Sequence, residues 1–144
     1  MNLMKNILVS EALAPVTAGQ QSSKSDVLDM QGYDGVLFVV PITDCTSGAV
    51  ATLTVQENTA NSTTGMASIT SASATNTSTA GDDQNNKLLL VDVYRPLKRY
   101  VMGLLTIGTQ DAASGNMLAI RYCGSKAPIA EDATILDATV VVGS

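Results

Sequence analysis

From Asp26 onward the chain is a succession of short apolar runs rich in β-branched residues, each closed by glycine, proline, asparagine, aspartate or serine. An amphipathic helix needs apolar residues recurring at three- and four-residue spacings over about ten positions, and no convincing stretch of that kind separates these runs. The strongest run, Tyr33 to Ile42 (YDGVLFVVPI), is continuously apolar, as a strand buried in the middle of a sandwich is, and it ends at Pro41, Thr43 and Asp44. Ala49, Ala51, Leu53 and Val55 then alternate with Val50, Thr52, Thr54 and Gln56, the period of a half-exposed strand. Further strands are predicted at Lys87 to Tyr94, Arg99 to Gly108, Met117 to Cys123 and Thr134 to Val142, with a weaker one at Gly65 to Thr70 and a short first one at Asp26 to Met30. The fold class is therefore all-β, an antiparallel β-sandwich. About eight strands and one long polar excursion fit a jelly roll better than a seven-stranded immunoglobulin domain.

At 144 residues, with 45% hydrophobic and only 15% charged side chains, the chain can build one real core and is too apolar to be disordered throughout. Residues 1–24 differ from the rest and are expected to form an N-terminal arm and linker, leaving 25–144 as the sandwich domain. Leu3, Met4, Ile7, Leu8 and Glu11 are compatible with one or two helical turns that Pro15 closes, and Thr17 to Lys24 reads as a polar linker. Such an arm either frays on the domain edge or becomes ordered on a neighbouring subunit, which makes Leu3, Ile7 and Leu8 candidate partner contacts. The segment Ser71 to Asn86 holds almost no large apolar residue and reads as a long exposed loop.

Absences narrow the chemistry. Without a histidine there is no Ser-His-Asp or Cys-His arrangement and no imidazole metal site, so no catalytic residue, metal site or cofactor site is predicted and the chain reads as a non-enzyme. Eight Lys and Arg are scattered among thirteen Asp and Glu, a balance that argues against nucleic acid as a partner. Ser10 and Glu11 interrupt what would otherwise resemble an export signal, and no run approaches the roughly 20 apolar residues of a membrane helix. The expectation is a protein made and used without export, with no membrane partner. Asp82, Asp83, Gln84, Asn85 and Asn86 offer oxygen ligands but lack the alternation of a calcium loop, and a solvated turn accounts for them better. Cys45 and Cys123 show no metal-ligand spacing and read as small buried hydrophobes; a bridge requires the fold to bring their Cα atoms within about 7 Å.

One basic cluster stands out: Arg95, Lys98 and Arg99 clasp Pro96 and precede Tyr100, between two strong strand patterns. Charges beside a hairpin corner keep a sheet edge soluble. The same cluster is also suited to docking on an acidic patch of a protein partner, where Arg and Tyr are over-represented.

At VDVYRPLKRYV (Val91 to Val101), preceded by GVLFVVPI and followed by GTQDAASGNMLAIRYCGSKAP, the chain resembles small structural proteins of tailed bacteriophages, the jelly-roll capsid decoration or cement proteins. The similarity runs from about Asp26 to Pro128 and lies in strand patterns rather than catalytic signatures. It implies a virion protein, made in the bacterial host cytoplasm, that sits on the outer surface of the expanded phage head and bridges neighbouring subunits of the major capsid protein. It also implies self-association as a dimer or trimer on a symmetry axis, with the arm (Met1 to Gln20), the excursion Asn58 to Asn86 and the Arg95, Lys98, Arg99 cluster as contacts. The alternatives are a tail or head-tail connector component, or a carbohydrate- or receptor-binding sandwich. The last is disfavoured by the absence of Trp and by aromatic residues that sit mostly in strand patterns.

Overall fold

The computed structural model describes residues 3–122. The expected strand Thr134 to Val142 and the second cysteine, Cys123, lie outside the described residues. A single 3₁₀ turn, Leu3–Lys5, leads into nine strands: β1 (Ile7–Leu13), β2 (Val16–Lys24), β3 (Leu28–Asp29), β4 (Gly35–Cys45), β5 (Val50–Asn58), β6 (Ala67–Thr77), β7 (Lys87–Tyr94), β8 (Tyr100–Ser114) and β9 (Met117–Tyr122). No helix among the described residues is long and apolar enough to cross a membrane.

Every strand pairing is antiparallel. One sheet runs β1-β9-β4-β7, and the other runs β6-β5-β8 with β2 and β3 sharing the far side of β8. Counted as one interrupted strand, β2 and β3 reduce the nine strands to eight, with the first, eighth, third and sixth facing the second, seventh, fourth and fifth. That order is a jelly roll. At one end the sheets join, because Ile42, Asp44 and Cys45 of β4 pair with Ser114, Ala113 and Ala112 of β8.

The strand alternation explains the core. Val36, Phe38, Val40 and Ile42 of β4, with Leu89, Val91 and Val93 of β7, turn inward from one sheet. Ala51, Leu53 and Val55 of β5, with Val101, Leu105 and Ile107 of β8, meet them from the other. Each of the larger of these side chains stabilises the fold by about 1.5–3 kcal/mol through the area it removes from water.

The interruption between β2 and β3 is held by one residue. The N–H of Ser25 donates to the Gly103 carbonyl at 2.8 Å, the N–H of Gly103 donates to Ser25 Oγ at 2.8 Å, and that hydroxyl donates to the Asp26 carbonyl at 2.9 Å. Ser25 is buried, so Ser25→Ala leaves the Gly103 N–H unmade away from water. We expect a loss of about 1–3 kcal/mol in a urea titration; an unchanged midpoint would show that water takes over the donor.

Several sequence expectations change. The segment expected to carry helical turns is the 3₁₀ turn followed by β1, because β9 offers Ile7–Leu13 a complete antiparallel partner. The expected linker, Thr17 to Lys24, is β2, paired with β8, so the sandwich takes in residues that composition set apart as an arm. The expected loop Ser71 to Asn86 continues β6 as far as Thr77 along β5. The expected turn Thr109 to Gly115 belongs to β8 up to Ser114, kinked at Thr109 (φ 68°). Nor is the Pro96 corner a hairpin: β7 pairs with β4 and β8 with β5, so residues 95–99 carry the chain from one sheet to the other.

Candidate partner-binding site

The corner between β7 and β8 is built by backbone constraints on its own few residues. Arg95 holds a left-handed backbone (φ 55°), which costs a side-chain-bearing residue about 1–2 kcal/mol. The following Pro96 adds to the cost by pushing its predecessor toward extended backbone. Glycine would relieve this strain, yet the position carries a guanidinium. The Arg95 N–H donates to the Asp34 carbonyl at 2.6 Å, and Glu57 Oε2 of β5 accepts from the N–H groups of Leu97 (3.1 Å) and Lys98 (3.2 Å). These bonds fix the tip, and Leu97 stands 94% exposed on it.

Shallow clefts flank the tip. One, of about 380 Å³, is lined by Met30, Gln31, Tyr33, Asp34 and residues 95–99; the other, of about 250 Å³, by Glu57, Ile69, Val93, Tyr94 and residues 95–97. The three cations have different situations. Arg99 makes a two-pronged pair with Asp29, Nε to Oδ1 at 2.9 Å and Nη2 to Oδ2 at 2.8 Å, and also lies over the Tyr100 ring. Both partners of that pair are more than 40% exposed, so it contributes at most about 1 kcal/mol to folding and chiefly orients the guanidinium. Arg95 stacks over Tyr94 at 5.1 Å, and neither Arg95 nor Lys98 pairs with a carboxylate of another described residue. The corner thus presents, beside an exposed leucine, two cations with no carboxylate partner among the described residues.

The structure brings the six candidates to one end of the sandwich. Ile7 lies in the transverse row Ile7, Tyr122, Gly35, Tyr94, and Tyr94 immediately precedes Arg95. Ile7 therefore sits across three strand spacings, about 14 Å, from the corner. Leu8 is half-buried and turned to the opposite side of β1, and Leu3 is exposed on the 3₁₀ turn. Sequence reasoning missed the residues that shape the site: Asp29, Glu57 and Leu97. Asp29 and Glu57 are remote in sequence from the corner, and only the strand pairings Asp29↔Tyr100 and Glu57↔Val101 bring them to it.

At the opposite end Asp83 ties down the loop after β6. Its carboxylate accepts from the hydroxyls of Ser78 (2.6 Å) and Thr79 (2.9 Å) and from the N–H groups of Thr79 (2.9 Å) and Ala80 (3.2 Å). Among the described residues no group of three or more Cys, Asp or Glu is arranged to hold a metal. Cys45 is a buried free thiol beside Ser78 and Asp83.

Two carboxylates contribute to the acid sensitivity of the fold. The Arg99 hydrogen bond lowers Asp29 from 3.8 to about 2, and the Ser78 hydroxyl, with the Thr79 N–H, holds Asp83 well below the usual carboxylate range. Depressed in the folded state, each contributes stability that is complete above about pH 4 and is lost as the pH falls through the folded value. The thermal midpoint should therefore fall steeply between about pH 4 and pH 2. Asp83→Asn should lower the midpoint at pH 7 and flatten that slope; an equally steep acid slope in the variant would assign it to other groups.

Comparison with known proteins adds the fold and little more. No protein-family model and no curated protein sequence matches the chain. Among solved structures, the PBSX exported protein XepA superposes with a TM-score of 0.50 at 16% identity, over 96% of this chain and 44% of that one. The fold is what they share. The chain spans less than half the length of XepA.

Proposed function

We propose that this chain is a structural protein of a tailed-bacteriophage virion, a non-enzymatic module that binds the outside of the expanded head and bridges major capsid protein subunits. The observation that carries the reading is the β7–β8 corner, where a strained Arg95, a Lys98 with no carboxylate partner among the described residues and a 94% exposed Leu97 are held by Glu57 and Asp34. Strain retained where glycine would remove it is accounted for by a use for the side chain. The jelly-roll order, the fold likeness to a PBSX protein and the sequence resemblance to decoration proteins support the same reading. A protein that binds only the expanded lattice stabilises that lattice by its binding free energy, repeated at every site, and no chemical step is required of it.

The test is co-sedimentation of the purified protein with expanded capsids of its phage, with unexpanded proheads as control. Saturable binding to expanded heads alone is expected. Binding to neither particle would move the protein to the tail or connector, or out of the virion.

A further inference from the structure

The two outer faces of the sandwich differ sharply. Across the sheet containing β5 and β8, the outward rows are Thr75, Thr52, Thr106, Ser22 and Ser73, Thr54, Leu104, Lys24. Hydroxyl pairs join neighbouring strands within the first row, Thr52 to Thr75 at 3.1 Å and Ser22 to Thr106 at 3.3 Å, as suits a surface facing water. Across the sheet β1-β9-β4-β7 the outward rows are Glu11, Leu118, Val39, Leu90, then Val9, Ile120, Leu37, Asp92, then Ile7, Tyr122, Gly35, Tyr94. Leu88, Leu90 and Tyr94 on this face are 57%, 51% and 60% exposed.

The face's two carboxylates are both engaged. Glu11 accepts from the Asn116 amide, and Tyr122 reaches across β4 to donate to Asp92 at 2.6 Å. That crossing is possible because position 35 is glycine: a Cβ there would lie 2.3 Å from the Tyr122 ring. Burial and the Asp92 carboxylate both push the Tyr122 phenol above its ordinary value, so it stays a neutral donor. Apart from these two carboxylates, what remains outward among the described residues is apolar, with the Arg95 guanidinium stacked on Tyr94 at its margin.

We infer that this face is covered by a second copy of the chain, sheet stacked on sheet. Four strands about 4.8 Å apart and about seven residues long at about 3.3 Å per residue give a footprint on the order of 400 Å². The accessible area of a side-chain-studded face exceeds its footprint, so stacking two copies removes on the order of 1,000 Å² in total, the threshold a biological interface clears. A predominantly apolar surface is complementary to itself, whereas the cationic corner is not. Because β7 ends at Tyr94, next to Arg95, self-association sets each copy's corner beside the interface. The inference stands independently of the capsid reading.

The experiment is sedimentation velocity on the full chain at micromolar concentrations, comparing wild type, Leu90→Glu and, on the opposite face, Thr106→Glu, with circular dichroism to verify folding. The wild type should sediment as a multiple of 14.9 kDa. Leu90→Glu should weaken association by about tenfold or more, and Thr106→Glu should leave it unchanged. A monomeric wild type, or a folded Leu90→Glu variant that associates normally, overturns the proposal. Should Leu90→Glu fail to fold, hydroxyl-radical footprinting of the wild type decides. Protection of Leu88, Leu90 and Tyr94 that grows with concentration supports the interface, and equal labelling at all concentrations overturns it.

Discussion

Replacing Phe38 by alanine is expected to cost about 3–5 kcal/mol of folding stability, a large share of the 5–15 kcal/mol typical of a whole domain. Phe38 is fully buried on β4, between the two sheets. The space for its ring is made by Gly103 of β8, where a Cβ would sit 3.1 Å from the Phe38 ring and 2.8 Å from the Met117 sulfur. Gly103→Ala alone therefore overpacks the centre and should cost about 1–3 kcal/mol. In the Phe38→Ala background the same methyl enters the vacated space, so its penalty should shrink or reverse. A double-mutant cycle in urea measures this directly, and strictly additive losses would show that the two residues do not share one packing site.

The second large effect concerns the corner. Arg95→Gly relaxes a left-handed backbone position while removing a guanidinium, so the variant should fold at least as well as the wild type. Combined with Lys98→Ala, it removes both cations of the corner that lack a carboxylate partner among the described residues. On the proposed function, affinity for expanded capsids should fall by about a hundredfold, roughly 2.7 kcal/mol, with the salt dependence of the remaining binding reduced. Arg99→Lys should have a smaller effect, because Arg99 is already held by Asp29. Retained affinity in the double variant would place the contact elsewhere on the molecule.

The apolar strands were legible because their side chains face the core. β5 and β9 alternate along the sequence and β4 and β7 carry near-continuous apolar runs, patterns visible without a structure. β2 was not legible, and of β6 only its start lay within the weak strand expected at Gly65 to Thr70. They lie at the outer margins of their sheet, β2 buries none of its nine side chains and β6 buries only Ala72, so neither carries an apolar period. Their pairing comes from backbone hydrogen bonds and from Ser and Thr hydroxyls, which look like loop composition when the partner strand is unknown. β1 misled for another reason: Leu3, Ile7 and Leu8 fit a helical spacing as readily as a strand, and only β9, more than a hundred residues later, decides between them. At the corner the basic cluster was readable, but Asp29 and Glu57, which orient it, are brought there by long-range pairing alone.

The crossing of the corner from one sheet to the other has a mechanical consequence. A load applied at residues 95–99 pulls β7 and β8 along their own axes, and the ladder bonds of an antiparallel pair lie perpendicular to that pull. β7 is anchored by its register from Lys87 to Tyr94 against β4, and β8 by its register from Tyr100 to Gly108 against β5. The bonds of both ladders are therefore loaded in parallel shear and must yield together, whereas a hairpin pulled at its open end unzips one bond at a time. A tether attached at this corner draws on the strength of both sheets at once.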